Sequence, residues 1–254
     1  MRAAVVTGLA VTSVKGTRLR PVDRIELLCA GARGNRRFFV IDEQDRMVNA
    51  KVLGELQTVL SECADERLRL EFPDGVTVDD VLTFDGPLTA RFFSRMVSGR
   101  LLAGPWAAAL SAHVGRPVRL VEADGSVDRG ARGAASLISR ASLTRLAQAA
   151  GEPSLDPRRF RMLIEIDGVA AHAEDAWVGR KCSVGDATVR WTGHVGRCLI
   201  TSRDPDSGTI DLPTLDILGS YRAAVETTEP LPFGIYGEVL REGIVRVGDS
   251  VTLE

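Results

Sequence analysis

The sequence predicts a mainly β fold with inserted helices, of the α+β class. Short apolar runs rich in Val, Ile and Phe recur along the chain, several alternating with charged residues. Turn signals built from Asp, Gly and Pro separate them. Apolar residues at helical spacing occur in only three segments. At 254 residues the chain can bury a sizeable core, as one β-rich domain or two linked subdomains.

In chain order, Val5 to Val14 reads as the first strand. A signal peptide would need an unbroken apolar core and a cleavage site, but Thr7, Gly8, Thr12 and Ser13 interrupt this stretch. Phe38 to Asp42 is a short strand. Asn49 is placed to cap a helix carrying Leu53, Leu56, Val59 and Leu60. Leu68, Leu70 and Phe72 alternate with charges and run into the turn at Pro73-Asp74-Gly75. From Phe84 to Gly115 the apolar positions predict helix, stopped by Gly115 and Pro117. Ala123 to Ala135 reads as a loop, and Ser139 caps a helix ending at Gly151. After Pro157 the pattern is strongly β: Met162 to Asp167, Lys181 to Val184, Thr188 to Thr192, Arg197 to Ser202, Ile235 to Arg241 and Ile244 to Leu253.

Composition narrows the function. Net charge is −2, from 32 basic and 34 acidic residues, which gives no general case for nucleic-acid or membrane-surface partners. Only Lys15, Lys51 and Lys181 are lysines, a bias that GC-rich coding accounts for. The longest apolar run after the N-terminus, Leu101 to Leu110, is too short to cross a bilayer. Cys29, Cys63, Cys182 and Cys198 form no CxxC pair and match no zinc framework. A reducing, cytoplasmic setting follows as the expectation. His113, His172 and His194 make no metal set by spacing. The three tryptophans read as core.

Cys198 lies in the most informative stretch, Gly196-Arg197-Cys198 followed by the turn Asp204-Pro205-Asp206-Ser207-Gly208. Arg197 beside it would favour the thiolate if the cation points that way. A thiolate is both a soft metal ligand and the nucleophile of sulfur transfer. On composition alone a lone cysteine is more often a small buried hydrophobe. Asp204 and Asp206 are expected to shape the turn through side-chain-to-backbone bonds.

This segment resembles the signature of the MOSC family, the molybdenum cofactor sulfurase C-terminal domain, where an Arg-Cys pair precedes an Asp-Pro-Asp-Thr-Gly-like turn. Other segments are similar in the same order. Leu137 to Leu143 resembles the family's Leu-Ser-x-Ala-Ser-Leu stretch, and Phe160-Arg161 with Asp167-Gly168 its Phe-Arg-Pro-Asn strand. Ala173-Glu174-Asp175-Ala176-Trp177 resembles Ala-Glu-Asp-x-Trp, and Val184-Gly185-Asp186 resembles Ile-Gly-Asp. Ser220-Tyr221-Arg222, Phe233 to Tyr236 and Val247-Gly248-Asp249 complete the set. Near the start, Val14-Lys15-Gly16 resembles the Pro-Val-Lys-Ser loop, and Asn35-Arg36 the Asp-Arg strand, of the N-terminal β-barrel that precedes MOSC domains. Within the family the pattern is most similar to the amidoxime-reducing components and bacterial relatives.

The resemblance implies a MOSC N-terminal β-barrel-like subdomain over residues 1–90 and a MOSC domain over 91–254. It implies a molybdenum–molybdopterin cofactor, with Cys198 as metal ligand and catalytic residue. It places Lys15, Arg36 and Arg161 on the pterin and its phosphate, with Arg197 and Arg132 as further cofactor contacts; guanidinium forks suit phosphate oxygens. It departs from the family at Gly16, at Arg132-Gly133 in place of Thr-Ser, at Leu163 and at Gly196. Each lost polar contact would cost about 1–3 kcal/mol. The implied activity is reduction of N-hydroxylated small molecules. Electrons would come from a separate iron–sulfur, flavin or haem protein, because the chain has no Cys-rich cluster segment. The alternative is a cysteine-persulfide sulfur carrier or sulfurtransferase without tightly bound molybdenum, and a third reading is a non-catalytic small-molecule-binding barrel.

Overall fold

The expected mainly β class is what the structure, a computed structural model, shows. It describes residues 4–125 and 130–254, so residues 126–129 of the loop read at Ala123 to Ala135, and residues 1–3 before the first strand, lie outside the described part. The first half carries β1 (Ala4–Val11), β2 (Arg20–Pro21), β3 (Arg24–Leu28), β4 (Gly31–Ala32), β5 (Phe38–Ile41) and β6 (Met47–Val48). It continues with β7 (Leu60–Ala64), β8 (Arg67–Glu71), β9 (Thr77–Val81), β10 (Thr83–Phe92), β11 (Arg95–Ala103), α1 (Trp106–Val114) and β12 (Arg119–Ala123). The second half carries β13 (Ala135–Ser139), α2 (Arg140–Ala150), β14 (Ile164–Asp167), β15 (Lys181–Val184), β16 (Ala187–Gly196) and α3 (Thr214–Arg222). It closes with β17 (Pro232–Arg241), β18 (Gly243–Arg246) and β19 (Ser250–Leu253).

Among the described residues seven strands form a closed ring, in the order β14-β13-β17-β16-β15-β19-β1 and back to β14. The only parallel pair in it is β13 with β14, joined through α2, as a parallel connection requires. Closure removes the exposed edges that a sheet of this size would otherwise carry. The ring encloses Val6, Ile164, Ile166, Val189, Trp191 and Ile235, all at most 1% exposed. A second core, with Phe38, Leu56, Leu68, Leu70, Trp106 and Leu120, lies under the sheet β10-β11-β12-β5-β6 and the hairpins β7-β8-β9. Trp106 Nε1 donates to the Leu68 carbonyl (2.8 Å), which satisfies its buried N–H. The position between residues 90 and 91 lies inside β10, and β1 belongs to the ring formed mostly by the second half. Among the described residues no helix is long and apolar enough to cross a membrane.

Three local expectations are corrected. The helix expected after Asn49 is a 3-10 turn, Gly54–Thr58, followed by β7. Asn49 caps a turn instead, with its side chain accepting from Lys51 N, because Leu60 onward pairs with β8 from the register Leu60↔Glu71. The helix expected from Phe84 begins only at Trp106; Phe84 to Ala103 is the hairpin β10–β11. There the residues facing in and out alternate along β10, and Phe93 and Met96, expected on an apolar helix face, are 64% and 62% exposed. The strand expected over Arg197 to Ser202 is instead a 3-10 turn, Leu199–Ser202. Its neighbour β17 begins at Pro232, opposite Gly196, so the backbone beyond has no partner strand and bonds locally. Ser139 caps α2 as expected, its side chain accepting from Ser142 N.

Candidate functional site

The junction of the two halves holds a cleft of about 410 Å³. Two neighbouring segments bring its first cations together. Lys15 N donates to Phe38 O (2.8 Å) and Phe38 N to Ser13 O (3.0 Å), so Lys15 and Arg36 rise from adjacent chains. Arg36 N donates to Thr12 O (2.6 Å), and a buried knot of Thr12, Thr17 and Ser61 hydroxyls, 2.6–2.9 Å apart, anchors the loop. Gly16 has φ +101°, a conformation that the family's serine would adopt only with strain.

Arg161 arrives from the opposite side. It ends the 3-10 turn Pro157–Phe160 in the left-handed conformation, φ 54°, and Arg36 has the same φ of 54°. Such non-glycine residues are uncommon and persist where surrounding structure holds them. Here the two are stitched together: Arg36 Nη2 donates to Arg161 O (2.8 Å), and Arg161 Nη2 donates to Thr17 O (2.7 Å). Neighbouring Arg158 and Arg159 are engaged elsewhere, with Asp156 and Asp206 and with Asp211. That separates Arg161, which lines the cleft, from the two that stabilise the outer loops.

Cys198 lines the cleft, one residue past Arg197 and two past the end of β16. Its backbone is extended, and its carbonyl accepts from Thr201 N and Thr201 Oγ1, both at 3.0 Å. Its thiol is exposed, whereas Cys182 is buried in the ring core and Cys63 is half-buried. Arg197 turns its guanidinium onto the carbonyls of Phe233 and Phe160 (2.8 Å from Nε and Nη1) and lies over both rings. It thereby ties β17 and the Phe160 turn to the cysteine segment. The turn that follows is shaped as expected: Asp204 Oδ1 accepts from Asp206 N, Ser207 N and Ser207 Oγ. Burial alone would raise the Asp204 carboxyl, but these hydrogen bonds hold it below the ordinary range. The Arg158 guanidinium does the same for Asp206.

Among the described residues five cations line this cleft, Lys15, Arg36, Lys51, Arg161 and Arg197, and no aspartate or glutamate does. In a chain of net charge −2 that segregation marks a site for an anion. Arg132, expected here, is not part of the lining; it lies in an exposed 3-10 turn whose neighbour Gly133 reaches the cleft, and its carbonyl accepts from Thr192 Oγ1. Lys51, Ser136, Thr201, Tyr236 and Phe93 line it without having been singled out in the sequence. For Lys51 a signal existed: two of the chain's three lysines face this cleft. A neighbouring cleft of about 290 Å³ shares Arg36, Gly133 and Ser136 but holds no cysteine, and its other arginines, Arg33 and Arg37, are paired with Glu26 and with Glu66 and Glu122.

The other motifs build the scaffold. Glu174 is fully buried and accepts from Ser139 N (3.1 Å) and Ser142 Oγ (2.7 Å), locking the start of α2; burial raises its carboxyl. Arg222, also buried, pairs with Asp175 and donates to Pro232 O (2.7 Å). The histidines stay apart, with His113 on Thr58 and His194 on Thr228. Among the described residues no group of three or more His, Cys, Asp or Glu could hold a bare metal ion. A metal here would have to arrive with ligands of its own. A cationic cleft lined by one exposed thiol is a donor set that fits an anionic, metal-carrying pterin.

Along 98% of its length the chain is 26% identical to "Mitochondrial amidoxime-reducing component 1" of Xenopus laevis, covering 82% of that protein. It is 27% identical to the protein of the same name from Homo sapiens, again over 98% of this chain and 82% of the relative. A solved structure, the YUAD protein from Bacillus subtilis, aligns over 99% of this chain and 96% of its own with a TM-score of 0.49 and 13% identity. The MOSC domain model matches residues 124–252, half of the sequence, and the chain belongs to the MOSC domain family.

Proposed function

We propose that the protein is an oxidoreductase that holds a molybdenum–pterin cofactor in the Cys198 cleft and reduces N-hydroxylated substrates, with electrons from a separate redox protein. One observation carries the reading: among the described residues, five cations, no carboxylate and one exposed thiol share a single cleft. Relatives named amidoxime-reducing components support the choice of substrate class. When bound, the cofactor supplies a two-electron centre. Lys15, Arg36, Lys51 and Arg161 bind its phosphate and pterin oxygens, where charge-assisted hydrogen bonds are strongest. Cys198 supplies a thiolate ligand, and Arg197 holds the backbone on both sides of it in place. In the overall reaction the N–O bond breaks, two electrons and two protons are consumed, and the oxygen leaves as water.

Protein made in a cofactor-competent host should carry about one molybdenum per chain and reduce an amidoxime when a reduced donor protein is supplied. Absence of molybdenum and of turnover would reject the reading. The exposure of Cys198 favours a second reading, a persulfide carrier, since thiolate attack depends on access. Intact mass after incubating metal-free protein with a persulfide donor separates the two. No stable adduct is expected, and a stoichiometric, cyanide-labile persulfide on Cys198 would reverse the preference.

A further inference from the structure

The hairpin β10–β11 places an aromatic ring at the cleft by an unfavourable turn. Phe92 pairs with Arg95, so Phe93 and Ser94 form a two-residue loop. Phe93 has φ 58°. Glycine and asparagine are the usual residues for a left-handed first loop position, and a bulky side chain there is strained. The strain is not offset by burial, because Phe93 is 64% exposed. Its support is a built one: Phe93 stands edge-on to Phe92 (5.3 Å, 89°). Phe92 is fully buried, packs against Phe39 at 5.5 Å, and lies beneath Lys15 Nζ and the Arg95 guanidinium at 5.6 and 5.3 Å. Phe93 nonetheless lines the same cleft as Cys198. The other apolar residues lining it are Phe160 and Met162, both buried, and Val195 and Ile200, both half-buried, so among the described residues Phe93 is the exposed apolar side chain of the cleft. The cations can take the anionic cofactor, and the exposed ring of Phe93 offers contact to an apolar organic group.

We infer that Phe93 is a specificity-determining residue that packs against the aromatic body of the substrate, so that the protein prefers aryl N-hydroxylated compounds to small aliphatic ones. This rests on the proposed reductase reading and adds the substrate class. Aromatic pairs gain from edge-to-face or offset contact as well as from buried area, and one ring contact is worth roughly tenfold in affinity.

Benzamidoxime and acetamidoxime share the N–OH group and differ in the ring, so their kcat/KM ratio reads the contact. In Phe93→Gly, which the turn accommodates without strain, and in Phe93→Ala, the benzamidoxime-to-acetamidoxime ratio should fall about tenfold. Molybdenum content should match the wild type, and Phe93→Tyr should keep the ratio within about twofold. Met96→Ala, on the same hairpin but outside the cleft lining, should leave the ratio as it is. A ratio unchanged in both Gly and Ala variants overturns the inference. If the loaded wild-type protein reduces neither compound, the reductase reading fails, and calorimetric titration of metal-free protein with benzamidoxime still decides the role of Phe93. Binding about tenfold weaker in Phe93→Gly than in wild type would uphold the contact; equal or undetectable binding in both would end it.

Discussion

Arg161 gives the sharpest perturbation, because its side chain and its backbone make separate contributions. Its guanidinium donates to Thr17 O at 2.7 Å across the cleft, a charge-assisted bond worth about 1.5–3 kcal/mol. Its backbone sits at φ 54°, which costs a non-glycine residue about 1–2 kcal/mol. Arg161→Ala loses the first and keeps the second, whereas Arg161→Gly loses the first and relieves the second. Glycine also has more freedom to lose on folding, which takes back a part of that relief. Arg161→Ala should therefore be the less stable variant by about 0.5–1 kcal/mol in denaturant unfolding. Cofactor retention should be poor in both, since one charge-assisted contact to an anion corresponds to roughly 10–150-fold in affinity. Molybdenum per chain, measured after serial dilution and rebinding, reads the second effect independently of the first. Full molybdenum retention in Arg161→Ala, Arg36→Ala and Lys15→Ala alike would refute the anion site. A glycine variant less stable than the alanine variant would refute the strain argument.

Other predictions follow from single contacts. Cys198→Ser should abolish most turnover with little change in unfolding midpoint, while Cys182→Ala, at a fully buried ring position, should cost about 1–2 kcal/mol of stability and leave turnover per folded molecule intact; equal turnover in both would remove Cys198 from the chemistry. His172 is held at about 4, below its usual 6.5, chiefly by burial and then by the Arg222 charge. The unfolded chain therefore takes up the proton first on acidification, so stability is present above about pH 6.5 and lost progressively toward pH 4. His172→Asn, which suits its φ of 61°, should flatten that slope, and an unchanged slope would assign it to other groups. Gly54→Ala would put a Cβ 2.3 Å from Gly208 O, against the Arg203 bracket that holds the Asp204–Gly208 turn. It should destabilise by more than about 2 kcal/mol in thermal unfolding, and a neutral result would mean that this backbone contact yields easily.

Apart from Arg197 to Ser202, which lacks a partner strand, the strands after Pro157 were legible because each alternates or ends at a Gly or Asp turn, a local signal. Ser139 was legible as a helix cap for the same reason: the bond it makes reaches only three residues on. The order of motifs around Arg197-Cys198 was likewise enough to indicate the family. What the sequence could not carry was any property that depends on partners distant in the chain. Apolar residues between Phe84 and Leu102 fit a helical period, yet pairing between β10 and β11 makes them a hairpin and turns Phe93 outward to the cleft. Arg158, Arg159 and Arg161 are alike as residues, and only the positions of Asp206, Asp211 and Thr17 decide that the last faces the site. Lys51 joins the cleft because the 3-10 turn beside it packs against Gly208, more than 150 residues away. Local hydrogen bonding and side-chain periodicity are written in neighbouring residues, whereas a cleft is made by closure of the ring against a second sheet, which no window of sequence contains.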